Sequence, residues 1–180
     1  MHSSKDFLFL KKAGYTKSYD CIDKAMSYYY SDQEVCCSLF RTALESIISD
    51  VYSVIDKGQY DTLKEDIDHL RYIIPDKLYN DNIILEMTNI RIIGNAQIHD
   101  SDESLERDVQ KDAQTSYIAM KKIADWLVSF ANEYPRYVAE QQEKEKKKKE
   151  KRKKVLKGTL VGSAIVAGIA GLIAIFTKRE

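Results

Sequence analysis

The chain is 180 residues long, enough for one domain of ordinary size and a small appendage. Two prolines, seven glycines and 31% charged residues exclude a strand-and-turn architecture and point to an all-α fold of long helices. The formal net charge of zero hides a split: nine basic residues face three acidic ones between Glu143 and Lys154, so an acidic body carries a basic tail.

Residues 1–18 form an N-terminal segment. Its apolar run, Phe7 to Leu10, is four residues long, too short for a secretory h-region of about 7–15 residues. His2 belongs to a disordered start in this reading. The body, residues 19–134, opens with a helix over "YDCIDKAMSYYY". Cys21, Cys36 and Cys37 are an odd set without a C-x-x-C, which predicts free and mostly buried thiols rather than a disulfide framework. A second helix, 32–57, follows from the period of Cys37, Phe40, Leu44, Ile47, Ile48, Val51 and Ile55, with Asp32 as N-cap and Gly58 as its stop. A third starts after Asp61 and ends at Pro75, and a fourth repeats at Ile83, Met87, Ile90, Gly94 and Ile98. The last body helix carries a heptad, Val109, Ala113, Ser116, Met120, Ile123, Leu127, Phe130 and Tyr134, that faces a bundle core or a partner helix. No strand-like alternation and no internal repeat competes.

Residues 135–157 read as a basic, charged, helical stalk. Residues 158–176 contain no charge; at 1.5 Å per residue they extend about 28 Å, close to the roughly 30 Å hydrocarbon core of a bilayer. They are therefore expected to be a transmembrane helix, with 177–180 as a short external tail. The lysines before the span place the body on the cytoplasmic side of a cell inner membrane by the positive-inside rule. The same lysines fit anionic lipid headgroups, or alternatively nucleic acid. Gly158 and Gly162, Ala164 and Gly168, and Ala167 and Gly171 give the span small-xxx-small spacing, which suits a homo-oligomer.

Candidate chemistry concentrates in the fourth helix. Arg91, Asn95 and His99 are spaced four apart and make one polar stripe, while Gly94 lies on the adjoining apolar face, where a missing side chain lets another helix approach. Arg41 and Glu45 are likewise four apart on the second helix. A charge at the edge of a buried face wants a partner, and Glu45 to Arg91 is the expected ion pair. His99 with Asp100 and Asp102 is too small a ligand set for a metal, and His69 is expected to be exposed. Neither a Gly-rich phosphate loop nor a nucleophile elbow occurs, so neither cofactor nor metal is expected.

"RTALE" at 41–45, followed by "RIIGNAQIH" at 91–99, resembles the HEPN-like family catalogued as domain of unknown function 4145, with its R-x-x-L-E helix, R-x-x-G-N-x-x-x-H helix and closing helix. The resemblance covers about residues 20–133. It implies a HEPN-like antiparallel helical bundle, here followed by the stalk and the membrane helix. It also implies restriction or antiviral settings, in which many HEPN relatives act as dimeric, metal-independent ribonucleases. In this chain Ile92 follows Arg91, and seven residues, about 12 Å of helix, separate Arg91 from His99.

The leading expectation is a membrane-anchored module that binds or senses a cytosolic RNA or protein partner in bacterial stress or phage defence. In the ribonuclease alternative, His99 is the general acid/base on the 2′-hydroxyl, Arg91 holds the phosphate and Asn95 orients either. A third reading makes the span an oligomerising effector that perturbs membranes.

Overall fold

Capping groups and apolar stripes set the helices of this chain. The computed structural model describes residues 2–96 and 108–176, with side chains described as far as Lys153. Among the described residues there are six α-helices: α1 (Leu8–Lys12), α2 (Thr16–Ser27), α3 (Gln33–Ile55), α4 (Leu63–Ile73), α5 (Asp81–Ala96) and α6 (Val109–Phe176), with a 3₁₀ turn over Ser4–Phe7 before α1.

Asp32 caps α3 by accepting the Val35 N–H at 3.1 Å, which satisfies one of the donors left open at a helix start. α3 ends at Asp56, not Gly58: Asp56 takes a left-handed conformation (φ 58°), which a short polar side chain tolerates, and the Lys57 N–H closes onto the Tyr52 carbonyl. Thr62 and Glu65 form the cap of α4, with the Thr62 hydroxyl donating to Glu65 at 2.8 Å and accepting the Glu65 N–H at 3.2 Å. Asn80 caps α5 and Asp108 caps α6 in the same way.

α3 is the axis of the core. Its most extensive neighbours are α2 and α5, and Phe40, Ala43, Leu44, Ile47, Ile48 and Val51 are fully buried along it. The first part of α6 closes the core with Ala113, Met120, Ile123, Leu127 and Phe130, so the heptad turns inward to the bundle. Lys122 pairs with Glu86 of α5, and the Trp126 indole N–H donates to the Leu78 carbonyl at 3.4 Å. None of the three cysteines is in a disulfide, and Cys36 and Cys37 are buried.

Two expectations are corrected. The N-terminal start is ordered from His2 onward. Ser3 and Asp6 cap each other's backbone, and Phe7 and Leu10, three apart on one face, are wholly buried in the core. The fold class also changes. The closing helix, stalk and separate transmembrane helix are instead one 68-residue helix with Pro135 inside it. Among the described residues, no helix is long and apolar enough to cross a membrane. The physical reason lies in their faces: α2 to α5 and the start of α6 each bury one apolar stripe and expose a polar one, and residues 143–153 of α6 are all charged. The side chains of 154–176, on which the span was expected, lie outside the described residues.

The chain divides into two compact units, Met1–Tyr134 and Pro135–Glu180. The first holds the whole hydrophobic core. The second is helical as far as Phe176 and charged throughout 143–153, with Glu143 and Lys147 paired one turn apart at 2.6 Å, the favourable order for such a pair.

Candidate functional site

The α3–α5 crossing is fixed by Gly94. A Cβ at this position would stand 2.5 Å from the Arg41 Cβ, 3.1 Å from the Cys37 carbonyl oxygen and 3.2 Å from the Arg41 Cδ. The glycine therefore lets α5 lie directly on the stem of Arg41, and its cost to the helix is offset by that approach.

Held in this way, Arg41 extends along its own helix. Its Nη2 lies 3.0 Å from the Glu45 Oε1, one turn on. The side chains are 26% and 43% exposed, so solvent screens much of the attraction and the pair orients more than it stabilises. The Arg41 Nε is buried without a hydrogen-bond partner. The expected Glu45–Arg91 ion pair is thus replaced by one within α3, because the i, i+4 geometry presents Arg41 to Glu45 with no second helix to position. Arg91 and Asn95 are half-buried on α5, and Ile92 between them is exposed. The charge of Arg91 reaches Asp68 of α4: the Lys64 hydrogen bond, then the charges of Lys64, Arg71 and Arg91, hold that carboxyl below its ordinary range. His99, Asp100 and Asp102 lie outside the described residues, so the stripe is described only as far as Asn95.

Glu45 also forms one wall of a cleft of about 210 Å³, completed by Gln59, Tyr60, Asp61 and Thr62 of the α3–α4 connection and by Leu63 and Asp66 of the first turn of α4. That connection is organised around Asp66, which is 4% exposed. Its carboxylate accepts the Tyr60 N–H at 2.8 Å and the Gln59 side-chain amide at 3.3 Å, and its carbonyl accepts the Tyr52 hydroxyl at 3.0 Å. Burial first, and Asp66 second, push the Tyr52 phenol well above its usual range, so it stays a donor. The Tyr60 hydroxyl meets the His69 Nε2 at 3.1 Å, and the His69 Nδ1 is buried without a partner; His69 is half-buried, not exposed. Glu45, Asp61 and Asp66 make the cleft rich in acceptors, and Glu45 is the carboxylate that also pairs with Arg41. Such a wall receives N–H donors and cations and repels phosphate.

A second polar cluster escaped the sequence reading. Ser18 of α2 lies 2.5 Å from the Asp50 Oδ2 and 3.0 Å from the Ser46 Oγ of α3, with Ser18 wholly buried and Ser46 nearly so. Burial raises the Asp50 carboxyl, against the Ser18 hydrogen bond and the charge of Lys17, and Tyr15 is raised by burial and by Asp50. Ser18 stands 28 and 32 positions from Ser46 and Asp50, so no local spacing announces it; Ser46 and Asp50, four apart on α3, were the one local hint. Among the described residues, no group of three or more His, Cys, Asp or Glu side chains is placed to hold a metal ion. Burial, then Cys37, push the Cys36 thiol up to about 12, which favours its protonated form.

The family described as domain of unknown function (DUF4145) matches residues 23–153. No curated protein and no solved structure matches the chain.

Proposed function

This chain belongs to the DUF4145 family, and from that premise we propose that its bundle is a HEPN-like binding module for a cytosolic protein partner that presents a lysine or arginine side chain. The observation that carries this reading is the cleft beside Glu45. It is open and lined by acceptors, among them Glu45, which is 43% exposed and shares its charge with Arg41 of the same helix. A cationic side chain entering it gains charge-assisted hydrogen bonds to Glu45 and Asp61 without displacing the core. Three cysteines outside any disulfide fit a reducing compartment. Restriction or antiviral defence, the setting that HEPN-like domains suggest, suits a module that senses a partner and passes the event on.

The test is a titration of the full-length protein with lysine- and arginine-containing peptides and, separately, with single-stranded RNA in metal-free buffer. Peptide binding should perturb the NMR signals of Tyr60 to Leu63. Glu45→Gln should weaken it about tenfold, as expected for one charge-assisted contact. RNA cleavage by the purified protein, with no peptide binding, would overturn the reading in favour of the ribonuclease.

A further inference from the structure

Tyr60 is 49% exposed, yet it is held at three points. Its backbone N–H donates to the Asp66 Oδ1 at 2.8 Å, its hydroxyl meets the His69 Nε2 at 3.1 Å, and its ring stands edge-on to the His69 imidazole with the centroids 4.7 Å apart. The anchors are themselves fixed. Asp66 is buried and also takes the Gln59 side-chain amide and, on its carbonyl, the Tyr52 hydroxyl. His69 is half-buried on α4. Restraint of this kind costs rotamer entropy, and an exposed ring recovers little of it by burial. Its effect is to set the plane of one aromatic ring on the wall of the acidic cleft.

Carboxylates stand around that ring. Arg41 meets Glu45 through a single oxygen, Oε1, at 3.0 Å. An ionised carboxylate has about four acceptor sites, so Glu45 can take a further N–H. Asp61, the next residue after Tyr60, adds a second, exposed carboxylate to the same lining. A fixed aromatic plane beside acceptors tells two cations apart. The ammonium of lysine is a compact, strongly hydrated point charge and is indifferent to the plane. The guanidinium of arginine is flat and weakly hydrated, and it can stack on a ring while its N–H fork reaches a carboxylate. The cleft matches the second shape.

Building on the reading of the cleft as a site for a basic side chain, we propose that it selects arginine over lysine. The guanidinium stacks on Tyr60 and shares its N–H groups between Glu45 and Asp61. His69 is a positioning residue: it touches no ligand and holds the ring that does.

NMR titrations of the full-length protein, followed at the Tyr60 to Leu63 signals, test this with two capped tripeptides, one carrying arginine between two glycines and the other lysine. The arginine peptide should bind about fivefold more tightly, the factor expected of stacking at an exposed site. Tyr60→Leu should bring the ratio of the two affinities close to one; it keeps the backbone N–H that Asp66 holds, so the loop should fold. Tyr60→Phe keeps the ring and loses the hydroxyl tie to His69, and should lower the ratio to about twofold; it decides if Tyr60→Leu does not fold. A tie that served the fold alone would leave the ratio unmoved. Equal affinities or tighter lysine binding in the wild type, or an unchanged ratio in a folded Tyr60→Leu or Tyr60→Phe protein, would overturn the selection and leave the cleft a site for either cation. Binding of neither peptide would overturn the reading of the cleft and the selection with it.

Discussion

Ser18 has one hydroxyl proton and two oxygen neighbours. While Asp50 is ionised, Ser18 must donate to it, at 2.5 Å, and Ser46 must donate to Ser18. Burial raises the Asp50 carboxyl above its ordinary value, so folding favours its protonated form. The contribution of Asp50 to stability is then full below the unfolded carboxylate pKa and is lost as pH rises through the raised folded value. Asp50→Asn should remove that loss. Denaturant midpoints between about pH 3 and 7 should show the variant gaining on the wild type as pH rises, with the smallest difference at the acid end. A parallel pH dependence in both proteins would mean that Asp50 does not titrate differently on folding. This cluster was not legible in the sequence because only the packing of α2 on α3 brings Ser18 to Ser46 and Asp50, which lie one turn apart on α3. The reverse holds for Gly94, where one glycine on an apolar helical face announced a close approach. Glu45 lies between these cases. The sequence offered it two arginines, and the nearer one on its own helix took it.

At the scale of elements, the crossing of α3 and α5 turns on the absence of one methyl group. Gly94→Ala would favour the isolated helix by about 1 kcal/mol. It would also drive a Cβ to 2.5 Å from the Arg41 Cβ, an atom fixed to the α3 backbone and unable to swing aside. Overpacking of this kind costs about 1–3 kcal/mol, so the substitution should be neutral at best and destabilising by up to about 2 kcal/mol. Chemical denaturation of the two proteins measures it; a clearly stabilised variant would show that the helices can part at no cost. Helix starts were legible where a capping side chain marks them, as at Asp32, since the cap acts within one turn. The ends were less so. Pro135 read as a boundary because a proline inside a helix removes a hydrogen bond and crowds the preceding turn. Instead α6 continues through it: the run from Ala139 onward is made of strong helix formers, and a helix already begun on both sides propagates across a single local penalty of about 3 kcal/mol.

Across the whole molecule, the core belongs to Met1–Tyr134 and the basic run to Pro135–Glu180. A protein ending at Tyr134 should therefore fold alone, with a helical circular dichroism spectrum and a cooperative melt within about 5 °C of the full chain. A broad, uncooperative melt would mean that the charged helix supports the bundle. The contact between Asp6 and Tyr117 ties the beginning of that bundle to its last helix. The Tyr117 hydroxyl donates to the Asp6 carboxylate at 2.5 Å, and this bond is the main reason that the carboxyl is held below its usual range. During synthesis, Asp6 leaves the ribosome 111 residues ahead of Tyr117 and waits for it. Chains emerge at about 5–20 residues per second, so the interval is several seconds. Until then the inward faces of α2 and α3 have no lid from α6, and the sticky stage of the protein's life is its own translation. A tag fused ahead of His2 would prolong that stage by holding the first residues away from Tyr117, whereas one placed after the charged helix would leave the closing step untouched.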